Sequence, residues 1–392
     1  MNGDENLSGN LSGRPMTPNP EELAGRPVWD EAPWRSFPAL TGDVDADVCV
    51  VGLGGSGLTC IGALLDRGLL VIGIDGGVVA GGAAGRNGGF LTAGAAGFYH
   101  RAVESLGQAR ASALYALTLR EVDRINAETP EAVRGIGVLR IALTPEEDAD
   151  CLAHLDALQA DGFPAQRYEG PEGTGLLLPA DGSFQPLLRC RLLARRVTDR
   201  GATLYESTPA LDLTGTQVTT PGGKVRCGFV IVAVDGHLER VLPELAPRVR
   251  TARLQMLATA PGPPRFPRPV CARYSWEYWQ QLADGRVALG GFRDLGGDRE
   301  WTSDIRPTDE IQQALERFLR THLRVQAPVT HCWAAAASWN PTRLPIMEQV
   351  RPGVWAIGSY SGSGNVMGAI CGRAVAELAV TGRSEVADLL RS

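Results

Sequence analysis

The chain has 392 residues and a mass of 41.7 kDa, beyond the roughly 250 residues at which a single core stops growing, so two or three lobes are expected. Apolar residues make up 44% and charged residues 21%, and 38 basic against 44 acidic side chains leave a net charge of -6. That balance excludes a wholly disordered chain and gives no basic footprint for nucleic acid or an anionic membrane.

The eight cysteines and five histidines are scattered, with no zinc spacing, so no metal site is expected and the cysteines read as reduced thiols of a cytoplasmic protein. Met1 to Glu5 has neither the basic nor the apolar run of a secretory signal. The uncharged run from Val48 to Leu65 carries five glycines and two hydroxyl residues, which favours a soluble segment over a membrane span. Among the basic residues only Lys224 is not an arginine.

In chain order, residues 1–25 predict a disordered tail, rich in Ser, Gly, Asn and Pro. Residues 26–43 carry Trp29, Trp34 and Phe37 and predict an extended strap on a folded body, or else a partner-binding peptide. The run from Asp47 to Val51 predicts a strand, Leu58 to Asp66 a helix and Leu70 to Ile74 a second strand: a βαβ unit. A strand over Val138 to Leu143 leads into a helix capped by Thr144, Pro145 and Glu147 that stops at Gly162. A helix over Pro186 to Arg200, a strand over Phe229 to Val234, a strand-rich stretch from 250 to 340 and a helix over Val366 to Val380 follow.

Gly52-Leu53-Gly54-Gly55-Ser56-Gly57 fits Gly-x-Gly-x-x-Gly between a strand and a helix, where backbone N–H groups and the helix N-terminus meet a pyrophosphate. Asp75, 23 residues after Gly52, ends the second strand, where a carboxylate accepts ribose hydroxyls. Gly81 to Gly97 holds seven glycines in seventeen residues, around Gly85-Arg86-Asn87-Gly88-Gly89, and lets backbone pass close to a flat ligand. Gly358-Ser359-Tyr360-Ser361-Gly362-Ser363-Gly364-Asn365 then precedes the last helix, whose N-terminus favours an anionic edge.

In this order the motifs resemble those of the D-amino-acid oxidase superfamily of flavoproteins, and within it the glycine, sarcosine and γ-glutamylputrescine oxidase branch. The resemblance covers roughly residues 28–385. It implies an α/β class, two-lobe α+β flavoprotein with a discontinuous Rossmann-like FAD-binding domain (44–98, 185–249, 341–392) and an inserted β-rich substrate domain (99–184, 250–340). It also implies FAD contacts at Gly52, Gly54, Gly55, Ser56, Gly57, Asp75, Gly76, Gly82, Ala83, Ala84, Arg86, Asn87, Gly88 and Gly89. Further contacts fall on Ala210, Ala233, Gly236, Gly358, Ser361, Gly362, Ser363, Gly364 and Asn365.

The implied chemistry is oxidation of a C–N bond in a small amine or amino acid by hydride transfer to flavin N5, followed by imine hydrolysis. Tyr274, Tyr278, Arg293, Trp333, Arg343 and Tyr360 are the candidates for the substrate face, with an arginine as carboxylate clamp if the substrate has a carboxylate.

Three positions depart from the resemblance: Ala84 where relatives have serine, Ser363 where they have histidine and Thr342 where they have aspartate. No lysine stands near Val366, where some relatives clamp a carboxylate; no cysteine stands at Ala335, where members with covalent flavin attach it, so non-covalent FAD is expected. An FAD-binding protein without turnover and a nicotinamide-dependent dehydrogenase remain as alternatives, and the oligomeric state and electron acceptor stay open.

Overall fold

The computed structural model describes residues 25–95 and 97–391; the tail expected over 1–25 lies outside them except for Gly25. Val48–Val51 is buried along its whole length and pairs in parallel with Val71–Ile74 on one side and Phe229–Val232 on the other. Consecutive apolar residues, rather than alternating ones, suit a strand covered on both faces. Thr203–Tyr205 and Val354–Gly358 extend the sheet in parallel, and Ile346–Arg351 closes it in antiparallel fashion.

Helices Gly55–Leu65, Pro186–Asp199 and Gly364–Thr381 share the core on this sheet through Leu58, Ile61, Leu193 and Ile370. The first starts at Gly55 and the last at Gly364, earlier than the apolar pattern predicts, because glycines that carry no periodicity form their first turns. Gly372 lets the two helices cross closely, since a Cβ there would fall on the Ser56 carbonyl.

A second sheet of eight strands runs in the order Val329–Trp339, Arg250–Thr259, Val287–Gly290, Glu277–Gln281, Val270–Ala272, Val138–Ala142, Gly173–Leu178, Gln166–Gly170. Directly paired residues share a face. Leu257, Leu289, Trp279, Val270 and Leu139 lie on one face, packed with Ile311, Leu315 and Leu319 of the Asp309–Thr321 helix. That helix interrupts the stretch expected to be strand-rich. The opposite, inner face carries the row Trp333, Met256, Gly290, Tyr278, Cys271 and Arg140.

Helices Tyr99–Leu106 and Gln108–Glu128 precede this sheet's first strands. The Pro145–Ala160 helix follows; Glu147 N–H donates to Thr144 Oγ1 at 3.2 Å, while the Glu147 carboxylate accepts from Leu143 N–H. The six-stranded sheet draws on three separated stretches and the eight-stranded one on the stretches between them, so the fold is the two-lobe α/β arrangement with a discontinuous Rossmann-like lobe and an inserted β-rich lobe. The strap packs on the body: Trp29 is buried and donates to the Asn87 carbonyl at 2.9 Å, and Trp34 Nε1 donates to Glu206.

Candidate functional site

The first glycine loop closes on the C-terminal ends of the parallel strands. Gly52 holds φ at 109° and donates to Ile74 O; a Cβ there would stand 2.7 Å from the Ala233 carbonyl. A Cβ on Gly57 would fall on the Gly52 carbonyl, and one on Gly54 would press on Ala84. Backbones 52–57, 82–84 and 233 therefore converge. Gly54 supplies no side-chain cap to the Gly55–Leu65 helix, so its first-turn N–H groups stay available to an anion. Ser56 faces Gly368 across the helix crossing, and Ala83 begins the short Ala83–Arg86 helix.

Asp75 accepts from Leu53 N–H and Gly77 N–H, both at 2.8 Å, so each carboxylate oxygen already has a backbone donor. Burial raises its pKa against those two bonds. Thr208 N–H and Ser207 N–H donate to the carbonyls of Asp75 and Gly77, and Pro209 abuts Gly76, which carries Ala210 to the same end of the sheet. Glu206, not singled out in the sequence, accepts from Val79 N–H, Phe37 N–H and Trp34 Nε1 and so ties strap to loop.

The Gly85 to Gly89 segment is held by side chains from afar. Arg86 donates to the carbonyls of Ala334 at 2.8 Å and Gly25, while its own carbonyl accepts from Trp333 Nε1 at 2.8 Å. Asn87 donates to Ala83 O and Ala84 O and accepts from Gly89 N–H and from Asn365 Nδ2. Gln280 donates to Gly88 O and Gly89 O. The two polar side chains of this loop thus engage the protein, and so do the carbonyls of Arg86, Asn87, Gly88 and Gly89.

In the last loop, positive φ at Ser359, Ser361 and Gly362 turns the chain before the Gly364–Thr381 helix, whose N-terminus has no side-chain cap. Ser361 N–H donates to Ser338 O, Ser363 Oγ donates to Tyr360 O, and the buried Ser361 Oγ has no partner among the described residues. Gly358 abuts Val234 O, and Gly236 abuts Ala336. Asp235 sits between these segments and accepts from Tyr360 N–H at 3.1 Å and Ser338 N–H at 3.2 Å. Burial pushes its carboxyl up to about 6 despite those donors. Only its place after an apolar strand could have marked it.

The substrate-face candidates separate. Tyr278 lies on the inner face of the large sheet with its ring against Gly88 and Gly290, where a Cβ at either would meet ring carbons at 2.8 and 2.5 Å. Phe90 meets it edge-on at 6.0 Å. Arg293 lies under three indoles, its guanidinium carbon 5.1, 4.8 and 4.9 Å from the rings of Trp276, Trp301 and Trp339. The carboxylates nearby are engaged elsewhere, Glu277 and Asp294 by Arg273 and Glu300 by Arg253. Burial lowers the Arg293 pKa.

Two candidates are core residues instead. Trp333 is fully buried, with its N–H spent on Arg86, and Tyr360 is wedged against Gly364 and Gly368 at the helix crossing, where burial raises its phenol. Neither presents an open face. Tyr274 is exposed, beside Arg101 and Phe98, and Arg343 is exposed at φ 58°.

A dinucleotide fits this assembly: two uncapped helix N-termini converge with close-packed glycine backbone, and positions 82 and 362 open onto space that a Cβ would not fill. A surface hollow of about 110 Å³ at Leu257 and Cys332 lies on the other face of the large sheet and holds none of these residues. Among the described residues no cluster of three or more His, Cys, Asp or Glu could hold a metal, and no helix is long and apolar enough to cross a membrane.

Fold and site together define a two-lobe, dinucleotide-binding flavoprotein. The family model for FAD dependent oxidoreductases, DAO, matches residues 47–378. The chain belongs to that family and is an FAD-dependent oxidoreductase, which sets the nicotinamide alternative aside.

It is 27% identical to the probable oxidoreductase OrdL of Rhizobium meliloti (strain 1021), over 91% of this chain and 87% of the relative. It is 25% identical to the gamma-glutamylputrescine oxidoreductase of Escherichia coli (strain K12), over 88% and 86%. Among solved structures, glycine oxidase from Bacillus cereus ATCC 14579 superposes with a TM-score of 0.72 at 19% identity, over 88% of this chain and 99% of that one. The L-amino acid deaminase from Proteus vulgaris gives 0.69 at 18%, over 93% and 95%.

Proposed function

We propose that the protein oxidises the CH–NH bond of a primary or secondary amine or an amino acid to an imine, which water then hydrolyses. The observation that carries this reading is the contact of Tyr278 with Gly88, which brings the inner face of the substrate lobe onto the glycine loop. The activities named for the relatives, on gamma-glutamylputrescine and glycine among others, support amine chemistry.

FAD would be held by residues 52, 54–57, 75, 76, 82–84, 86–89, 210, 233, 236, 358 and 361–365 and would supply the hydride acceptor; the protein supplies position and electrostatics. Gln280 fixes the carbonyls of Gly88 and Gly89 and so the position of the glycine loop. Tyr278 packs on Gly88 and joins the inner face of the large sheet to that loop. Arg293, a fixed cation without a carboxylate partner, disfavours a protonated amine close by and so favours the neutral amine that hydride transfer needs. Cys332 pairs with Leu257 on the outer face and Ala335 offers no thiol, which supports non-covalent FAD.

A binding-only role is the second reading. It draws support from Lys224, the chain's one lysine, which lies exposed in the Gly223–Arg226 strand of a separate small sheet. Incubating the FAD-loaded protein with a panel of amines and amino acids, with a dye as electron acceptor, separates the two. Equimolar carbonyl product and released amine are expected; dye reduction with none of the panel refutes turnover on these classes.

A further inference from the structure

Asp235 lies three residues past the end of the Phe229–Val232 strand, where three remote segments meet. Gly358 abuts Val234 O, and a Cβ on Gly236 would fall on the Ala336 carbonyl, so segments 234–236, 336–338 and 358–361 pack backbone to backbone. One side of this junction is the last stretch of the Val329–Trp339 strand, the edge of the large sheet. The other is the loop before the Gly364–Thr381 helix. The junction therefore joins the substrate lobe to the loop proposed to hold the flavin.

Backbone N–H groups enter this interior without a strand partner, and each needs an acceptor. Asp235 Oδ1 accepts from Tyr360 N–H and Oδ2 from Ser338 N–H, while Ser359 N–H also favours the ionised carboxyl. The Asp235 carbonyl accepts from Ser338 Oγ, and Ser338 O accepts from Ser361 N–H, which closes a ring of bonds through 235, 338 and 361. Ser338 and Ser359 are fully buried. Ser359 and Ser361 hold positive φ without a glycine's freedom, so the turn depends on such ties.

Among the described residues no cation balances this carboxylate. Glu239 and the buried Tyr360 phenol face it, and Glu239 is itself engaged by Thr251 N–H and Oγ1. His237 and Arg240 follow in its own segment, and Arg250 and Arg253 of the adjoining strand pair with Asp298 and Glu300. Neither residues 336–338 nor the loop 358–365 carries a charged side chain. The N–H groups of the loop and of Ser338 are thus its counter-charge, and protonation would leave one of them without its acceptor.

We propose that Asp235 is a positioning residue whose ionised carboxylate holds the Ser359–Ser361 turn in its cofactor-binding shape, so that FAD affinity is coupled to the charge at this position. The inference rests on the reading of this loop as the flavin loop. Coupling is reciprocal: bound FAD holds the proton off Asp235, and a proton on Asp235 weakens FAD. Burial raises this carboxyl to about 6, so it is ionised above that pH. Affinity is full there and falls as pH drops through it.

The test titrates the apoprotein with FAD at about pH 8 and about pH 5, read by quenching of flavin fluorescence, with thermal melts of the apoprotein at both. The wild type is expected to bind FAD about tenfold more weakly at the lower pH, the slope of a single proton. Asp235→Asn keeps the shape without the charge. At either pH it is expected to bind as weakly as the wild type does in acid, while its apoprotein melts within a few degrees of the wild type. Ser338→Ala removes the bond to the Asp235 carbonyl, leaves the carboxylate its partners and is expected to keep the pH step. Asp235→Ser, also without charge, serves if the Asn variant does not fold.

A wild type without the step overturns the proposal. A step of equal size in Asp235→Asn assigns it to another group, such as Asp75 or His237, and overturns it too, as does a variant that binds FAD as tightly as the wild type at the higher pH. Affinity and melting temperature that fall together at both pH values mark a residue that only supports the fold, which is equally contrary. A wild type that binds no FAD at either pH contradicts the flavoprotein reading instead.

Discussion

Asn365, at the start of the last helix, donates to Oδ1 of Asn87 in the first-lobe loop at 3.1 Å, across 278 positions of sequence. The same amide donates to Phe90 O, so one side chain fixes the distance between the two loops proposed to hold the cofactor. Asn365→Ala is expected to weaken FAD binding about tenfold, the worth of one or two buried hydrogen bonds, in fluorescence titration of the apoprotein. The melting temperature of the apoprotein should move by only a few degrees.

Steric demand separates two glycines of the site. Gly57→Ala places a methyl group on the Gly52 carbonyl, backbone against backbone, and is expected to abolish FAD binding and lower apoprotein stability. Gly82→Ala meets nothing within 4 Å and has an ordinary φ, so apoprotein stability should be unchanged. Thermal melts of both apoproteins check the contrast.

Arg293 acts in the proposal through its charge. Arg293→Gln removes a cation beside the amine, so the pKa of the bound amine rises toward its value in water. The limb of kcat that climbs with pH should shift to higher pH by about one unit. A fall in kcat at every pH with no shift of the limb would indicate that the residue only packs against its three indoles.

Asp181 predicts the pH dependence of stability. Burial pushes its carboxyl from 3.8 up to about 7, opposed by Ala93 N–H and the Arg140 charge. The native state therefore holds this proton more tightly than the unfolded chain does. Stability from this group is full below about pH 4, falls as pH rises to about 7 and levels off above it. Asp181→Asn removes the titration: the variant should match the wild type near pH 4 and exceed it at pH 8, by on the order of 1–3 kcal/mol in urea melts.

The parallel sheet, the glycine loops and the acid at position 75 were legible because each rests on backbone requirements that leave a local mark. Gly52 needs a positive φ, and an uncapped helix start needs small residues before it. The side chains that hold those loops left no such mark. Gln280 and Trp333 reach residues 86–89 from strands about two hundred residues on, and Asp235 gathers N–H groups from two remote segments.

Tyr360 is a candidate for the substrate face because its segment matches the family's flavin loop. The left-handed backbone at Ser359 and Ser361 turns it into the helix crossing, and non-glycine residues do not announce that conformation.

The central claim is tested most directly by the visible spectrum of the purified protein, recorded before and after anaerobic addition of amines and amino acids. The account predicts flavin bands that bleach with one substrate class and return when air or an artificial electron acceptor is admitted. A protein that stays colourless after incubation with FAD contradicts it.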